Sequence, residues 1–232
     1  MQIRQFRYSE DNLGYLVYEN QSAIAVDGGA VDDMLSFINA SGLTLRYVAN
    51  THSHMDHTVG NHSLMERTGA RFLAFETLLA RPEIVLDNNR LYVMATPGHT
   101  RDSVCFYFDG VLLSGDTLFN GKVGRCFTGD TEAFFHSIRK ILEFPDDMLV
   151  YAGHDYVKEY VAFARWLEPD NPHLDAYLQK YNPDHVCAIL GDEKKVDPFL
   201  RFDDALIIGL LRGRGLPVKT ALDRWQSLLS LM

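Results

Sequence analysis

The chain reads as an α/β (α+β) protein: a layered domain of mixed strands and helices over residues 1–168, followed by a small helical domain over residues 169–232. Three observations predict this. Up to about residue 160, short β-branched or aromatic runs alternate with amphipathic ones. Beyond Pro169 only helical periodicity remains. Clusters rich in His and Asp recur at the ends of strand-like runs, as at the edge of a sheet that carries a site.

In chain order, the expected strands are Leu16–Glu19, Ala23–Asp27, Leu45–Asn50, Arg71–Ala74, Arg90–Ala95, Val104–Phe108, Val111–Ser114 and Leu149–Ala152, most of them bounded by Gly, Asn or Asp. In "FYFDGVLLSGD", Asp109-Gly110 is a two-residue turn between apolar arms, the signature of a hairpin. "VDDMLSFINASG" places Met34, Leu35 and Ile38 on one helical face, with Gly42 as a stop. "DTEAFFHSIRKILEF" carries a stripe of Phe134, Phe135, Ile138, Ile141 and Leu142, with Asp130 or Thr131 as cap. Pro169-Asp170-Asn171-Pro172 is a rigid, polar boundary. After it come the helical segments "NPHLDAYLQKY", "FDDALIIGLLRGRG" and "TALDRWQSLLSLM", with no strand pair expected among them.

Composition narrows the function. With 47% apolar and 23% charged residues the chain is of ordinary globular type. A net charge of −9 argues against a general nucleic-acid or anionic-membrane binder, since phosphate contacts need an excess of Lys and Arg. "MQIRQFRYSED" lacks a secretory pattern, and no apolar run reaches the ~18 to 20 residues of a membrane span. Cys105, Cys126 and Cys187 are odd in number and far apart, which suits free thiols in a reducing compartment, so a cytoplasmic location is expected. Nothing in the sequence sets the oligomeric state.

The residues with chemistry lie in "ANTHSHMDHTVGN", directly after a strand. Residues two apart on an extended chain point to the same side, so His52 and His54 can present both imidazoles to one ion. Asp56 and His57 follow once the chain turns, and two ligand groups a few ångströms apart are what a dinuclear hydrolase site requires. His99 in "ATPGHT", Asp116 in "LLSGDT" and His154 in "VYAGHD" each end a strand beside a glycine that permits close backbone approach. Nitrogen and carboxylate donors without thiolate suit Zn²⁺ best and are compatible with Fe or Mn. Asp27 in "AVDGGA" reads as a structural turn with Gly28-Gly29 supplying the bend, and His62 as a residue that fixes a loop.

Taken together, "THSHMDH", "PGHT", "GDTLF" and "GHDY" resemble the metallo-β-lactamase superfamily, within it the glyoxalase II (hydroxyacylglutathione hydrolase) branch. "GHDYVKEYVAFARWLEPDNPHL" and "DPFLR" extend the likeness into the second half. The resemblance implies a four-layer αββα sandwich with a helical C-terminal domain. It further implies two divalent ions: His52, His54 and His99 hold one, Asp56, His57 and His154 the other, and Asp116 bridges them. On the same resemblance, a hydroxide activated by the ions would attack a thioester carbonyl, and Asp56 would orient it. Arg125 and Tyr156 match substrate-gripping positions, whereas Phe127 stands where a tyrosine hydroxyl is common.

The Arg-x-x-Lys pair that meets the tripeptide's carboxylate in the family is replaced by Asp223 and Gln226, with Arg224 adjacent. The expected substrate is therefore a small-molecule thioester, S-2-hydroxyacylglutathione or one built on another thiol. The rival within the same fold is a mononuclear iron persulfide dioxygenase, against which the "DPFLR" region speaks. A non-catalytic binding protein would have lost ligands, and none is lost here.

Overall fold

Two apolar faces per strand require two covering layers, and the burial pattern shows both. Asn12–Glu19, Ser22–Val26 and Val111–Gly115 are buried along almost their whole length, as strands covered on both sides are. In the computed structural model, which describes residues 1–232, they belong to two facing sheets. The first contains β1 (Gln2–Tyr8), β2 (Asn12–Glu19), β3 (Ser22–Val26), β4 (Thr44–Ala49) and β5 (Arg71–Phe72) in that order. β6 (Glu83–Leu86), β7 (Asn89–Ala95), β8 (Val104–Phe108), β9 (Val111–Gly115), β12 (Leu149–Ala152) and β13 (Ala188–Ile189) form the second, in the order β13-β12-β9-β8-β7-β6. β10 (Leu118–Phe119) and β11 (Lys122–Val123) make a separate small hairpin.

Between the sheets, alternate residues interlock: Leu13, Tyr15 and Val17 of β2 meet Val104 and Phe106 of β8, Leu113 of β9 and Tyr151 of β12 in one cluster. The residues between them point outward. Leu16, Ala23, Ala25 and Val48 pack on Met34, Leu35 and Ile38 of α1 (Val31–Ala40) and Leu64 of α3 (Asn61–Thr68). On the far side, Cys105, Leu112 and Val150 pack on Phe134, Phe135, Ile138 and Ile141 of α5 (Thr131–Leu142). Helix, sheet, sheet and helix are thus four layers.

The same outer cluster takes in Phe199, Phe202, Ile207 and Leu211 of the C-terminal region and Trp225 and Leu228 of α10 (Ala221–Leu229). α7 (Leu174–Lys180), α8 (Leu190–Val196) and α9 (Ala205–Gly213) complete that region. Its apolar side chains share a core with the second sheet's outer layer.

Most expected elements are present. The Asp109-Gly110 hairpin has both turn residues at positive φ, 39° and 78°, with Phe108 opposite Val111. Asp130 caps α5, its side chain accepting from Ala133 N–H at 2.9 Å.

Five strands differ from expectation. β1, "QIRQFRY", is an edge strand whose Gln2, Arg4 and Arg7 are exposed and whose Gln5 bonds Tyr15 and the Val186 backbone, so it lacks an apolar signature. β6 is the opposite kind of edge, and β10, β11 and β13 have two residues each, too short to show a period. β13 corrects the expectation of no strand pairing beyond Pro169: Ala188 and Ile189 pair antiparallel with Val150 and Leu149. α6 (Val157–Leu167), with Val157, Val161, Ala164 and Leu167 on one buried face, was not among the helices expected from periodicity.

Candidate metal centre

The ends of β4, β9 and β12 and the loop between β7 and β8 meet at one edge of the sandwich. His52 and His54 follow the end of β4, His54 in extended conformation, and a single turn, α2 (Met55–Thr58), then swings Asp56 and His57 inward. His57 is fully buried. Asp116 follows β9, and His154 follows β12 after Gly153.

A side chain at Gly153 would place its Cβ 2.2 Å from Asp116 Oδ1, and one at Gly115 would lie 2.4 Å from Thr51 Oγ1. Only glycine lets these loops close to their observed distance.

Two groups of ring nitrogens result. His54 Nδ1 lies 2.9 Å from His52 Nε2 and 3.1 Å from His99 Nε2. His57 Nε2 lies 3.2 Å from His154 Nε2, with Asp56 Oδ2 3.2 Å from the latter. Asp116 sits between the groups: Oδ2 is 3.4 Å from His99 Nε2 and 3.6 Å from His154 Nε2, and Oδ1 is 3.4 Å from His57 Nε2. Each of the sets His52/His54/His99, His52/His57/Asp116 and Asp56/His57/His154 brings its ligand atoms within 4.8 Å of one another. All seven residues expected from the sequence are brought to one place.

The hydrogen bonds behind the rings show what the centre is built for. His99 Nδ1 faces the carbonyl of Arg125 at 2.9 Å, His57 Nδ1 faces Asp27 Oδ2 at 3.0 Å, and His154 Nδ1 faces Asp11 Oδ1 at 3.0 Å. Each of these oxygens accepts only, so each Nδ1 carries a proton and each ring turns its Nε2 inward. Lone pairs converging around a buried carboxylate, whose Oδ1 has no hydrogen-bond donor, fit a cation. No ion is present in the structure; donors and spacing fit divalent metal.

The carboxylates of Asp27 and Asp116 make this pocket favour positive charge. Burial opposes a charge on His57, yet Asp27 and Asp116 beside it raise its pKa to about 11. Burial would likewise raise the Asp116 carboxyl, and the surrounding imidazoles, His57 foremost, hold it well below the usual range. His52 is pushed down to about 4, chiefly by burial and then by His57.

Asp27 is where the structure departs most from the sequence reading. It bends the chain itself, at φ 52°. Its carboxylate also accepts from Thr51 N–H at 2.8 Å and Thr51 Oγ1–H at 2.7 Å, besides His57. Asp11 and Asn12 were not singled out at all. Asn12 Nδ2–H donates to Asp56 Oδ2 at 2.9 Å, and the Tyr8 hydroxyl donates to the Asp56 carbonyl at 3.0 Å. The turn "SEDN" from β1 into β2 carries no spacing signal that would have marked them.

Around the mouth, Phe127 stands edge-on to His54 and His99 at 5.5 and 5.2 Å and is 58% exposed. Arg125 lies over its ring, at 5.2 Å. Tyr156 stacks on His154, centroids 4.9 Å apart and rings 6° from parallel. Burial pushes its hydroxyl pKa up to about 12, keeping it a donor at neutral pH. A hollow of about 300 Å³ beside His99 and Phe127 is also bordered by Arg101, a cation not among the expected residues.

α10 presents no charge to this mouth from the positions examined in the sequence. Asp223 and Thr220 form a capping box, with bonds of 2.9 and 3.0 Å. Gln226 donates to Thr131 Oγ1 at 2.9 Å. Arg224 spends its guanidinium on Asp203 and on the carbonyls of Phe202 and Val218. His62 is exposed on α3, opposite Glu66.

An αββα sandwich carrying a His/Asp centre at one edge defines a class, the metal-dependent hydrolases of this fold. Residues 12–77 and 71–154 match the model of the metallo-beta-lactamase superfamily, and residues 155–224 match that of the hydroxyacylglutathione hydrolase C-terminus. A hydroxyacylglutathione hydrolase of Chromohalobacter salexigens is 34% identical over 226 residues, covering 89% of each chain. One of Pseudoalteromonas translucida is 32% identical, covering 100% of this chain and 97% of its own. The crystal structure of ETHE1 from Myxococcus xanthus shares the fold, with TM-score 0.67 at 24% identity over 98% of this chain and 100% of its own. The chain belongs to the metallo-β-lactamase superfamily, in its hydroxyacylglutathione hydrolase (glyoxalase II) branch. No helix is long and apolar enough to cross a membrane.

Proposed function

We propose that the protein hydrolyses a thioester, S-2-hydroxyacylglutathione to a 2-hydroxy acid and glutathione, at two divalent ions. The carrying observation is the convergence of His52, His54 and His99 on one side of Asp116, and of Asp56, His57 and His154 on the other. Zinc suits these donors best; iron and manganese are compatible.

Bound divalent ions lower the pKa of water toward neutrality and polarise a carbonyl oxygen. The chain's own residues do the rest. Asp27 keeps the His57 proton on Nδ1, so Nε2 stays a ligand. Asn12 holds one oxygen of Asp56, leaving the other to orient the attacking water. Phe127 walls the mouth, and Tyr156 and Arg125 are the donors we assign to substrate. A thiolate leaves without general-acid help. We further propose the division into residues 1–168 and 169–232, and a cytoplasmic location suited to the three free thiols.

A second reading keeps the reaction and changes the carrier thiol. It is favoured by the inward use of Arg224 and by Asp223 and Gln226 at the positions in α10. The experiment is thiol release from S-D-lactoylglutathione by metal-loaded protein. A kcat/KM of ~10⁴ M⁻¹s⁻¹ or more is expected. A background rate there with turnover of another thioester moves the function to that carrier. Background rates with every thioester, and O₂ uptake on persulfide by the iron form, overturn the hydrolase.

A further inference from the structure

The two ligand groups differ in what stands behind them. In the first, His52 Nδ1 meets the Thr51 hydroxyl at 3.1 Å and His99 Nδ1 meets a backbone carbonyl at 2.9 Å. His54 Nδ1 meets only other imidazoles. In the second, His57 and His154 each face a carboxylate at 3.0 Å, and Asp56 is held by Asn12 at 2.9 Å. A carboxylate behind a ligating imidazole fixes its tautomer and makes its inward nitrogen more basic, so metal is held more tightly.

Asp27 serves both groups, because the Thr51 hydroxyl that meets His52 donates to it. Asp11 serves the second alone. It ends the short turn between β1 and β2, where Ser9 takes φ 52° and Tyr8 pairs with Asn12. Backbone bonds stitch that turn to the His154 loop: Asp155 N–H to the Asp11 carbonyl at 2.9 Å, and Leu13 N–H to the Gly153 carbonyl at 2.8 Å. Arg7 and Tyr181 pin Asp155 from the other side, at 2.5 and 2.8 Å. The carboxylate is therefore delivered to His154 by a rigid frame, although its side chain is 36% exposed.

We propose that Asp11 is a positioning residue for one ligand group only: through the His154 Nδ1–H it sets metal affinity at the Asp56/His57/His154 side and leaves the His52/His54/His99 side unchanged. This rests on reading the seven residues as metal ligands. The selectivity distinguishes it from a general structural role, which would weaken both sides.

The test is withdrawal of zinc from the loaded protein by a chromogenic chelator. Wild type is expected to release two equivalents. Asp11→Asn, which keeps the shape and removes the charge, should release one of them at ~10- to 100-fold lower chelator and the other unchanged. Asp11→Ala should lose at least as much, and Asp11→Glu should restore part of it. His154→Ala should lose the same equivalent that Asp11→Asn weakens. Unchanged release in Asp11→Asn and Asp11→Ala, equal weakening of both equivalents, or weakening of the equivalent that His154→Ala retains overturns the assignment of Asp11. Wild type that holds fewer than two equivalents overturns the ligand reading itself.

Discussion

At the sheet edge the polar side chains aim at a common point; along α10 they turn back into the fold. His52, His54, Asp56, His57, His99, Asp116 and His154 leave four separate segments and meet within hydrogen-bond distances of one another. Asp223 caps its own helix, Gln226 bonds Thr131, and Arg224 is consumed by Asp203 and two carbonyls. Trp225, fully buried, locks the helix onto Phe134. The first region is organised around a ligand and the second around a core, although both belong to one family architecture. The two regions can therefore be perturbed separately.

Substitutions can break that contrast, and the largest effect belongs at the edge. Asp116→Ala removes the carboxylate between the two groups, and should abolish metal retention by elemental analysis and lower thioester turnover at least ~10³-fold. Full metal content with normal turnover would mean that the edge is not the site.

In α10 the damage should take another form. Trp225→Ala empties a buried indole that also donates to the Thr131 carbonyl at 3.0 Å, for a loss of about 3–5 kcal/mol in denaturant unfolding. The folded fraction should keep its metal; metal loss in step with stability would join the two regions after all.

Glu193 sharpens the contrast through pH. It lies fully buried in α8, accepting from Asn120 at 3.0 Å, Gly121 N–H at 2.7 Å and the Tyr177 hydroxyl at 2.5 Å. Burial raises its pKa from 4.5 to about 7 despite those donors. The folded state holds this proton more tightly than the unfolded chain. Its contribution is thus complete below pH 4.5 and is lost as pH rises through about 7. On the order of 3 kcal/mol is involved, using 1.36 kcal/mol per unit. Glu193→Gln should be less pH-dependent between pH 5 and 8 than wild type when melting is followed calorimetrically; identical slopes would contradict it.

The smallest effect expected is a gain. Gln226→Lys spares the capping box and adds a cation on α10, so KM for a glutathione thioester should fall a few-fold while kcat holds, in line with a surface charge worth about 1 kcal/mol. An unchanged KM would place the carrier away from this helix.

Legibility followed the physical range of each signal. Strands buried on both faces, such as Ala23–Val26 and Val104–Phe108, stand out as apolar runs, and α5 stands out by its stripe. β1 does not, because an edge strand that exposes Gln2, Arg4 and Arg7 has no reason to be apolar. Similarly, His52 and His54 are conspicuous by their spacing, whereas Asp11 and Asp27 look like any turn acids. Asp27 reads in the sequence most simply as part of a turn, and its carboxylate proves to stand behind His57 and Thr51.

By itself, then, the sequence determined which side chains can ligate and which of the more strongly patterned runs become strands or helices, and its likeness to the family marked the cations that α10 lacks. All of these depend on residue type and on separations of a few positions. The tertiary structure alone decided that His154 is backed by Asp11, 143 residues away, that His57 is backed by Asp27, and that Arg224 points into the fold. Such pairings are set by the order in which strands join their sheets and by the few backbone positions where only glycine allows close approach, and no local period encodes either.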